Sequence, residues 1–159
     1  MTVKIGQQIP DGTLTTMTDT GPEPLSTRDL FAGKKVVLFA VPGAFTPTCS
    51  AKHLPGFVER ADEILAKGVD TIACMAVNDV FVLSAWGKSA RAERVLMLAD
   101  GNGDYTRALG LELDATAWGM GHRSQRFALI VEDGRVTDLL LEAPGEFRVS
   151  SAEHVLSRL

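Results

Sequence analysis

Residues 35 to 41, Lys-Val-Val-Leu-Phe-Ala-Val, form an unbroken β-rich run that stops at Pro42-Gly43. A run this short, with apolar side chains at both alternating positions, reads as a strand buried on both faces of a sheet, with helices above and below it. Pro42-Gly43 closes it in a turn and carries the loop Ala44-Phe45-Thr46-Pro47-Thr48-Cys49 off its C-terminal end. In α/β sheets that edge is where chemistry collects.

The rest of the chain supplies the partners such a strand needs. Phe57, Val58, Ala61, Ile64 and Leu65 recur at helical spacing up to Lys67-Gly68, which predicts one helix ending at a glycine stop. Asp70 to Val77 reads as a second buried strand, Asp79 as the cap of a helix over Val80 to Lys88, and Val95 to Leu98 as a third strand. The Asp100 to Asp104 turn precedes a short helix around Tyr105 to Leu109. Arg126 to Glu132 and Arg135 to Leu141 are two strands joined by the hairpin dipeptide Asp133-Gly134, and a helix over Ser151 to Leu159 closes the chain. Residues 6 to 34 are rich in Gly, Pro and Thr and are assigned an N-terminal hairpin and a short helix near Ser26 to Phe31. This order implies an α/β class and a thioredoxin-like fold: a mixed central β-sheet flanked by helices, with an N-terminal β-hairpin extension. At 159 residues it is expected to form a single domain over residues 1–159.

Composition removes several function classes. The longest apolar stretch falls far short of the roughly 20 residues of a membrane-spanning helix, and Met1 to Gln8 lacks the apolar core of an export signal. No membrane association is expected, and the default compartment is cytoplasmic. Net charge is -4 with no Lys/Arg stripe, so no nucleic acid partner is expected.

The two cysteines, Cys49 and Cys74, are too few for a disulfide framework and lack CxxC spacing. Cys49 can be a small core residue or a nucleophile. Its loop, rich in Pro and Thr, favours the second. If a helix begins near Thr46 or Pro47, Cys49 lies in its first turn, where backbone N–H groups are unpaired and the macrodipole favours thiolate. The Thr46 hydroxyl, three residues earlier, can face the sulfur, and Pro42 and Pro47 stiffen the loop. A cation beside the sulfur would stabilise its charge; Arg123 and Arg126 compete for that place. His53, four residues after Cys49, can share a helix face with it. His122 and His154 show no ligand spacing, and no metal or cofactor is expected.

Pro42, Thr46 and Cys49 match the PxxxTxxC signature of peroxiredoxins, and the string PGAFTPTCSAKHLPGF resembles the peroxiredoxin-5 (type II) subfamily. Similarity continues through Val77-Asn78-Asp79, the Trp86 helix, Leu98 to Gly101, Leu109 to Leu113 and Arg126 to Leu129. The resemblance implies a thiol-specific peroxidase reducing hydrogen peroxide and alkyl hydroperoxides, with Cys49 as nucleophile, Thr46 binding peroxide and Pro42 shielding the sulfur. It assigns the supporting arginine to Arg126, makes His53 its orienting partner, and leaves Gly43 and Thr48 as candidate substrate contacts in the same loop.

Attack on peroxide leaves a sulfenic acid that a thiol must resolve. The segment in which many relatives carry a second cysteine reads Glu146-Phe147-Arg148-Val149-Ser150-Ser151-Ala152 here and has none. Cys74, among apolar neighbours, reads as a buried inert thiol, with a resolving role as the alternative. The resemblance therefore implies resetting by an external thiol, glutathione with glutaredoxin, or thioredoxin. It also implies a homodimer, for which Phe45, Phe81 and Trp86 are candidate contacts, each of which can equally be core. A thiol-based peroxide sensor or thioredoxin-fold binding module is the alternative function.

Overall fold

The computed structural model describes residues 2–159. β1 (Thr13–Thr18) and β2 (Gly21–Ser26) form the N-terminal hairpin, and α1 (Thr27–Phe31) follows, capped by Ser26 Oγ, which accepts from the Asp29 N–H at 3.1 Å. β3 (Lys35–Ala40), β4 (Thr71–Ala76) and β5 (Val95–Ala99) are parallel neighbours; β8 (Phe127–Glu132) runs antiparallel to β3, and β9 (Arg135–Leu141) antiparallel to β8. With β1 pairing antiparallel to β5, the sheet order is β2-β1-β5-β4-β3-β8-β9, a mixed sheet with β4 at its centre and β3 beside it. The Asp133-Gly134 turn has both residues at positive φ, 47° and 78°, as a two-residue hairpin of this hand requires.

β3 shows why its sequence is apolar throughout. Val37 and Phe39, with Val41 just beyond the strand, join Phe57, Ile64, Trp86 and Val155 on one face; Val36, Leu38 and Ala40 join Leu30, Phe31, Tyr105 and Leu109 on the other. Each face is sealed by helices. The first is covered from α2 (Leu54–Glu59), α3 (Ala61–Leu65), α4 (Val80–Ser89) and α6 (Ala152–Arg158), the second from α1 and α5 (Asp104–Leu109). At roughly 1.5–3 kcal/mol per buried Leu, Val or Phe, these two layers dominate the stability that holds β3 in place.

Three expectations need correction. The single helix expected after Cys49 is two short ones, broken at Arg60, whose φ of -101° and ψ of 11° leave the α region. Leu54, Phe57, Ala61 and Ile64 are buried against the sheet on both sides of the break. A small second sheet of β6 (Glu112–Asp114) and β7 (His122–Ser124), enclosing a 3-10 turn at Thr116–Trp118, was not anticipated; strands of three residues are too short to show alternation. Trp86, a candidate surface contact, is 1% exposed and belongs to the core, with its indole Nε1–H donating to Ser50 Oγ at 3.0 Å. Asp79 caps α4 as expected, its Oδ1 accepting from the Val82 N–H at 2.8 Å.

Candidate active site

The loop leaving β3 is tied down before it turns. The Ala44 N–H donates to Asn78 Oδ1 at 2.9 Å, which anchors it to the segment after β4. Phe45 sits at φ 62°, a left-handed conformation uncommon for a bulky side chain, and the residue is 55% exposed. Helical backbone begins at Pro47, and the Ser50 N–H donates to the Thr46 carbonyl at 2.9 Å, closing the first turn. Cys49 thus lies within that turn, as its sequence position implied, with an amide preceding the first intrahelical bond. From Cys49 to His53 the helix widens into a π turn, closed by the Leu54 N–H on the Cys49 carbonyl, before α2 continues. The widening places the two ends of the turn, Cys49 and His53, against one guanidinium.

That guanidinium is Arg126, just ahead of β8. Its Nη2 donates to Cys49 Sγ at 3.1 Å and its Nη1 donates to His53 Nδ1 at 2.8 Å. Arg123 goes elsewhere: its Nε donates to the Met120 carbonyl at 2.8 Å and its Nη1 lies against Gly43, where an added Cβ would approach to 3.1 Å. A side chain at Gly43 would press on Arg123, Thr46 and Met120. Thr46 Oγ1 donates to the Gly43 carbonyl at 2.7 Å, so its one proton is committed and its lone pairs remain as acceptors.

His53 is fully buried, its ring centroid 4.9 Å from Phe39, 5.7 Å from Phe57 and 5.0 Å from Phe147. Its Nε2 meets the Ser150 carbonyl at 2.9 Å. Because Arg126 can only donate and a carbonyl can only accept, both neighbours require one neutral tautomer, with hydrogen on Nε2 and the lone pair on Nδ1. The pKa of His53 is lowered to about 3, first by burial and then by the Arg126 charge, against the opposing pull of the Ser150 carbonyl and Glu142.

This has a consequence for stability. Between pH 6.5 and about 3 the unfolded chain binds a proton at His53 that the folded one refuses, so stability is lost as pH falls through that window. Between pH 7 and pH 5 the loss is about 2 kcal/mol, or a melting temperature lower by about 4–8 °C. Thermal melts of wild type and His53→Gln across this range are expected to differ in slope, with the variant flatter; equal slopes would contradict the neutral, buried imidazole.

Pro42, Thr48 and Arg126 line a pocket of about 240 Å³ together with Leu113, Trp118 and Glu142. Cys49 itself is fully buried. A larger groove of about 600 Å³, between Met17, Leu65, Val80 and Met97, contains none of these residues. Cys74 is buried in β4, in register with Phe39 and in the same core layer as Cys49; both thiols are free. Burial, and next the Cys49 charge, push the Cys74 thiol well above its ordinary range, only partly countered by Arg126. Among the described residues no His, Cys, Asp or Glu side chains group as a metal site.

Sequence reasoning missed four residues here. Trp118 is 73% exposed at the pocket rim, Phe147 lies 5.8 Å from the Arg126 guanidinium, and Ser150 and Glu142 are buried behind His53. Ser150 contributes a backbone carbonyl, which no residue type announces. Glu142, an acidic residue after an apolar strand, has the sequence signature of a surface charge.

The family model for Redoxin matches residues 4–156. Over 159 residues the chain is 51% identical to Peroxiredoxin-2B of Arabidopsis thaliana, an alignment spanning 99% of this chain and 98% of that protein. The structure resembles reduced Prx3 of Vibrio vulnificus in complex with hydrogen peroxide at a TM-score of 0.96 and 54% identity, covering 98% of both chains. It resembles peroxiredoxin 5 of Alvinella pompejana at a TM-score of 0.83 and 35% identity, covering 98% of this chain and 96% of that one. A thioredoxin-like fold, a buried cysteine in a helix's first turn beside an arginine, and similarity along almost the whole length converge: the chain belongs to the peroxiredoxin family and is a thiol-dependent peroxidase.

Proposed function

We propose that Cys49 reduces hydrogen peroxide and alkyl hydroperoxides in a one-cysteine cycle of the peroxiredoxin-5 (type II) kind, and that an external thiol, glutathione with glutaredoxin or thioredoxin, resets it. The observation that carries this is the Arg126 Nη2–H on Cys49 Sγ at 3.1 Å, which stabilises negative charge on the sulfur before attack and on the leaving oxygen during it. The thiolate attacks one peroxide oxygen, the O–O bond breaks, and the other oxygen leaves as water or an alcohol after taking a proton. Cys49 is left as a sulfenic acid. One thiol condenses with it, releasing water and forming a mixed disulfide; a second thiol attacks that disulfide and returns Cys49 to the thiol.

Thr46 fits the peroxide-binding role because Oγ1, having donated to Gly43, can only accept, and the substrate is an O–H donor. Pro42 and Thr48 line the approach, and Gly43 leaves room for Thr46. Phe45 and Phe81, 55% and 65% exposed, support homodimer contacts beside the site.

We leave Cys74 outside the cycle because its thiol is pushed well above its ordinary range and the Arg126 N–H is directed at Cys49 instead. The test is catalytic NADPH consumption by the purified protein with hydrogen peroxide, glutathione, glutaredoxin and glutathione reductase, run in parallel with thioredoxin and its reductase. Cys74→Ser is expected to retain activity within about twofold; a collapse of turnover in folded Cys74→Ser would make Cys74 the resolving thiol. Oxidation that stops after one equivalent with both reductants would favour a peroxide sensor.

A further inference from the structure

Arg126 can serve Cys49 only if its guanidinium is held in one orientation, and the residue holding it, His53, is itself held by a backbone carbonyl at Ser150. Ser150 lies in an irregular segment ahead of α6, where no ladder fixes the chain. The segment is fixed by Glu142. Glu142 is 6% exposed, and its carboxylate accepts the N–H groups of three consecutive residues: Arg148 at 2.9 and 2.8 Å, Val149 at 2.9 Å and Ser150 at 2.8 Å. The Ser150 hydroxyl adds a further bond at 2.7 Å. Burial works against the charge, but the Ser150 hydroxyl and these amides outweigh it and hold Glu142 below the ordinary carboxylate range.

The same residue grips Arg126 from the other side. Glu142 follows β9, and its backbone N–H donates to the Arg126 carbonyl at 3.1 Å. The bonds therefore close a ring: Arg126 backbone to Glu142 backbone, Glu142 carboxylate to Ser150, Ser150 carbonyl to His53, His53 to the Arg126 guanidinium. We infer that Glu142 is a positioning residue for peroxide reduction, fixing the Ser150 carbonyl that selects the His53 tautomer and so aims Arg126 at Cys49. The hydrogen bonds of the Glu142 carboxylate go to Arg148, Val149 and Ser150, not to the sulfur or the Arg126 guanidinium. Its effect passes through His53, and that dependence can be measured.

A carboxylate is needed for this role. Glutamine keeps the shape but loses the charge and turns an amide N–H₂ toward donors, while aspartate keeps the charge and withdraws it by a methylene. The inference rests on the peroxidase reading, and two readouts separate the two. The first is ¹⁵N NMR of the His53 imidazole, which needs no peroxide: wild type is expected to show hydrogen on Nε2 alone, and Glu142→Gln a mixture of tautomers. The second is the second-order rate of Cys49 oxidation by hydrogen peroxide, expected to fall about 10- to 100-fold in Glu142→Gln, since small misplacements of a catalytic group cost that much.

Placed on a His53→Gln background, Glu142→Gln is expected to add less than about twofold, because the route it acts through is already cut. A purely structural role predicts additive losses instead. Wild-type rate and a single tautomer in Glu142→Gln, or full additivity with His53→Gln, would overturn the inference. Should Glu142→Gln fail to fold, Glu142→Asp is judged by the same two readouts and the same cycle. If wild type shows the single tautomer and Glu142→Gln a mixture, yet Cys49 does not react with peroxide, the peroxidase reading falls and the positioning of His53 by Glu142 stands.

Discussion

Cys49→Ser is expected to lose peroxidase turnover by a factor on the order of 10⁴ or more, to the background rate, while remaining folded. Serine keeps the volume and polarity of the site closely enough for Arg126 Nη2 to find an oxygen acceptor where it now meets Sγ at 3.1 Å. Exchanging a fully buried thiol for a hydroxyl costs about 1–3 kcal/mol, a modest share of a domain's stability. The chemical cost is total. A neutral hydroxyl is a far weaker nucleophile than a thiolate, and His53, the imidazole that Arg126 meets, has its lone pair occupied by that contact and cannot take the proton. Residual turnover well above background in folded Cys49→Ser would move the nucleophile elsewhere, with Cys74 the remaining thiol among two cysteines. Steady-state NADPH consumption with circular dichroism of the same sample decides this.

Arg126→Gln carries the second largest effect, a fall of about 10²–10³ in the rate of Cys49 oxidation. The arginine provides three things at once: a full charge beside the sulfur, a directed N–H at 3.1 Å, and a second N–H that occupies His53. Glutamine keeps one donor and loses the charge. Arg126→Lys separates these contributions, since an ammonium is a point charge without the planar fork that spans Cys49 and His53 together. It is expected to recover part of the lost rate, leaving a deficit of about tenfold or more. Stopped-flow fluorescence suits the measurement: Trp86 donates to Ser50, the neighbour of Cys49, and lies close enough to report changes in the π turn. Equal rates in wild type, glutamine and lysine variants would show that the contact with Sγ does not contribute to catalysis.

Both predictions concern residues visible in the sequence, and the reason is physical. β3 announces itself because burial on both faces demands an unbroken apolar run, and the turn at Pro42-Gly43 fixes where its loop emerges. The Asp79 cap and the Asp133-Gly134 turn are equally legible, since each backbone conformation asks for particular residue types. The break at Arg60 left no such mark: the apolar spacing from Leu54 to Ile64 satisfies one helix as well as two. The π turn is silent for the same reason, because Cys-Ser-Ala-Lys-His suits either helix.

Trp86 shows a different limit. A large aromatic serves a core or an interface equally, and only burial separates Trp86 in the core from Phe45 and Phe81 at the surface. On residue type alone Arg123 and Arg126 compete, and it is the resemblance that favours Arg126; the structure sets Arg123 beside Gly43 and Arg126 beside Cys49. The support behind His53 was the least legible part. It consists of a carbonyl and three amides gathered by a carboxylate, and backbone groups are the same in every sequence.

The central claim is that Cys49 takes oxygen from peroxide and then waits for an outside thiol. Mass spectrometry of wild-type protein after one equivalent of hydrogen peroxide, quenched with dimedone and digested, tests it most directly. The expected result is a single dimedone adduct on the Cys49 peptide, no Cys49–Cys74 disulfide, and loss of the adduct when glutathione precedes dimedone. A Cys49–Cys74 disulfide, or an adduct on any other residue with Cys49 unmodified, would contradict it.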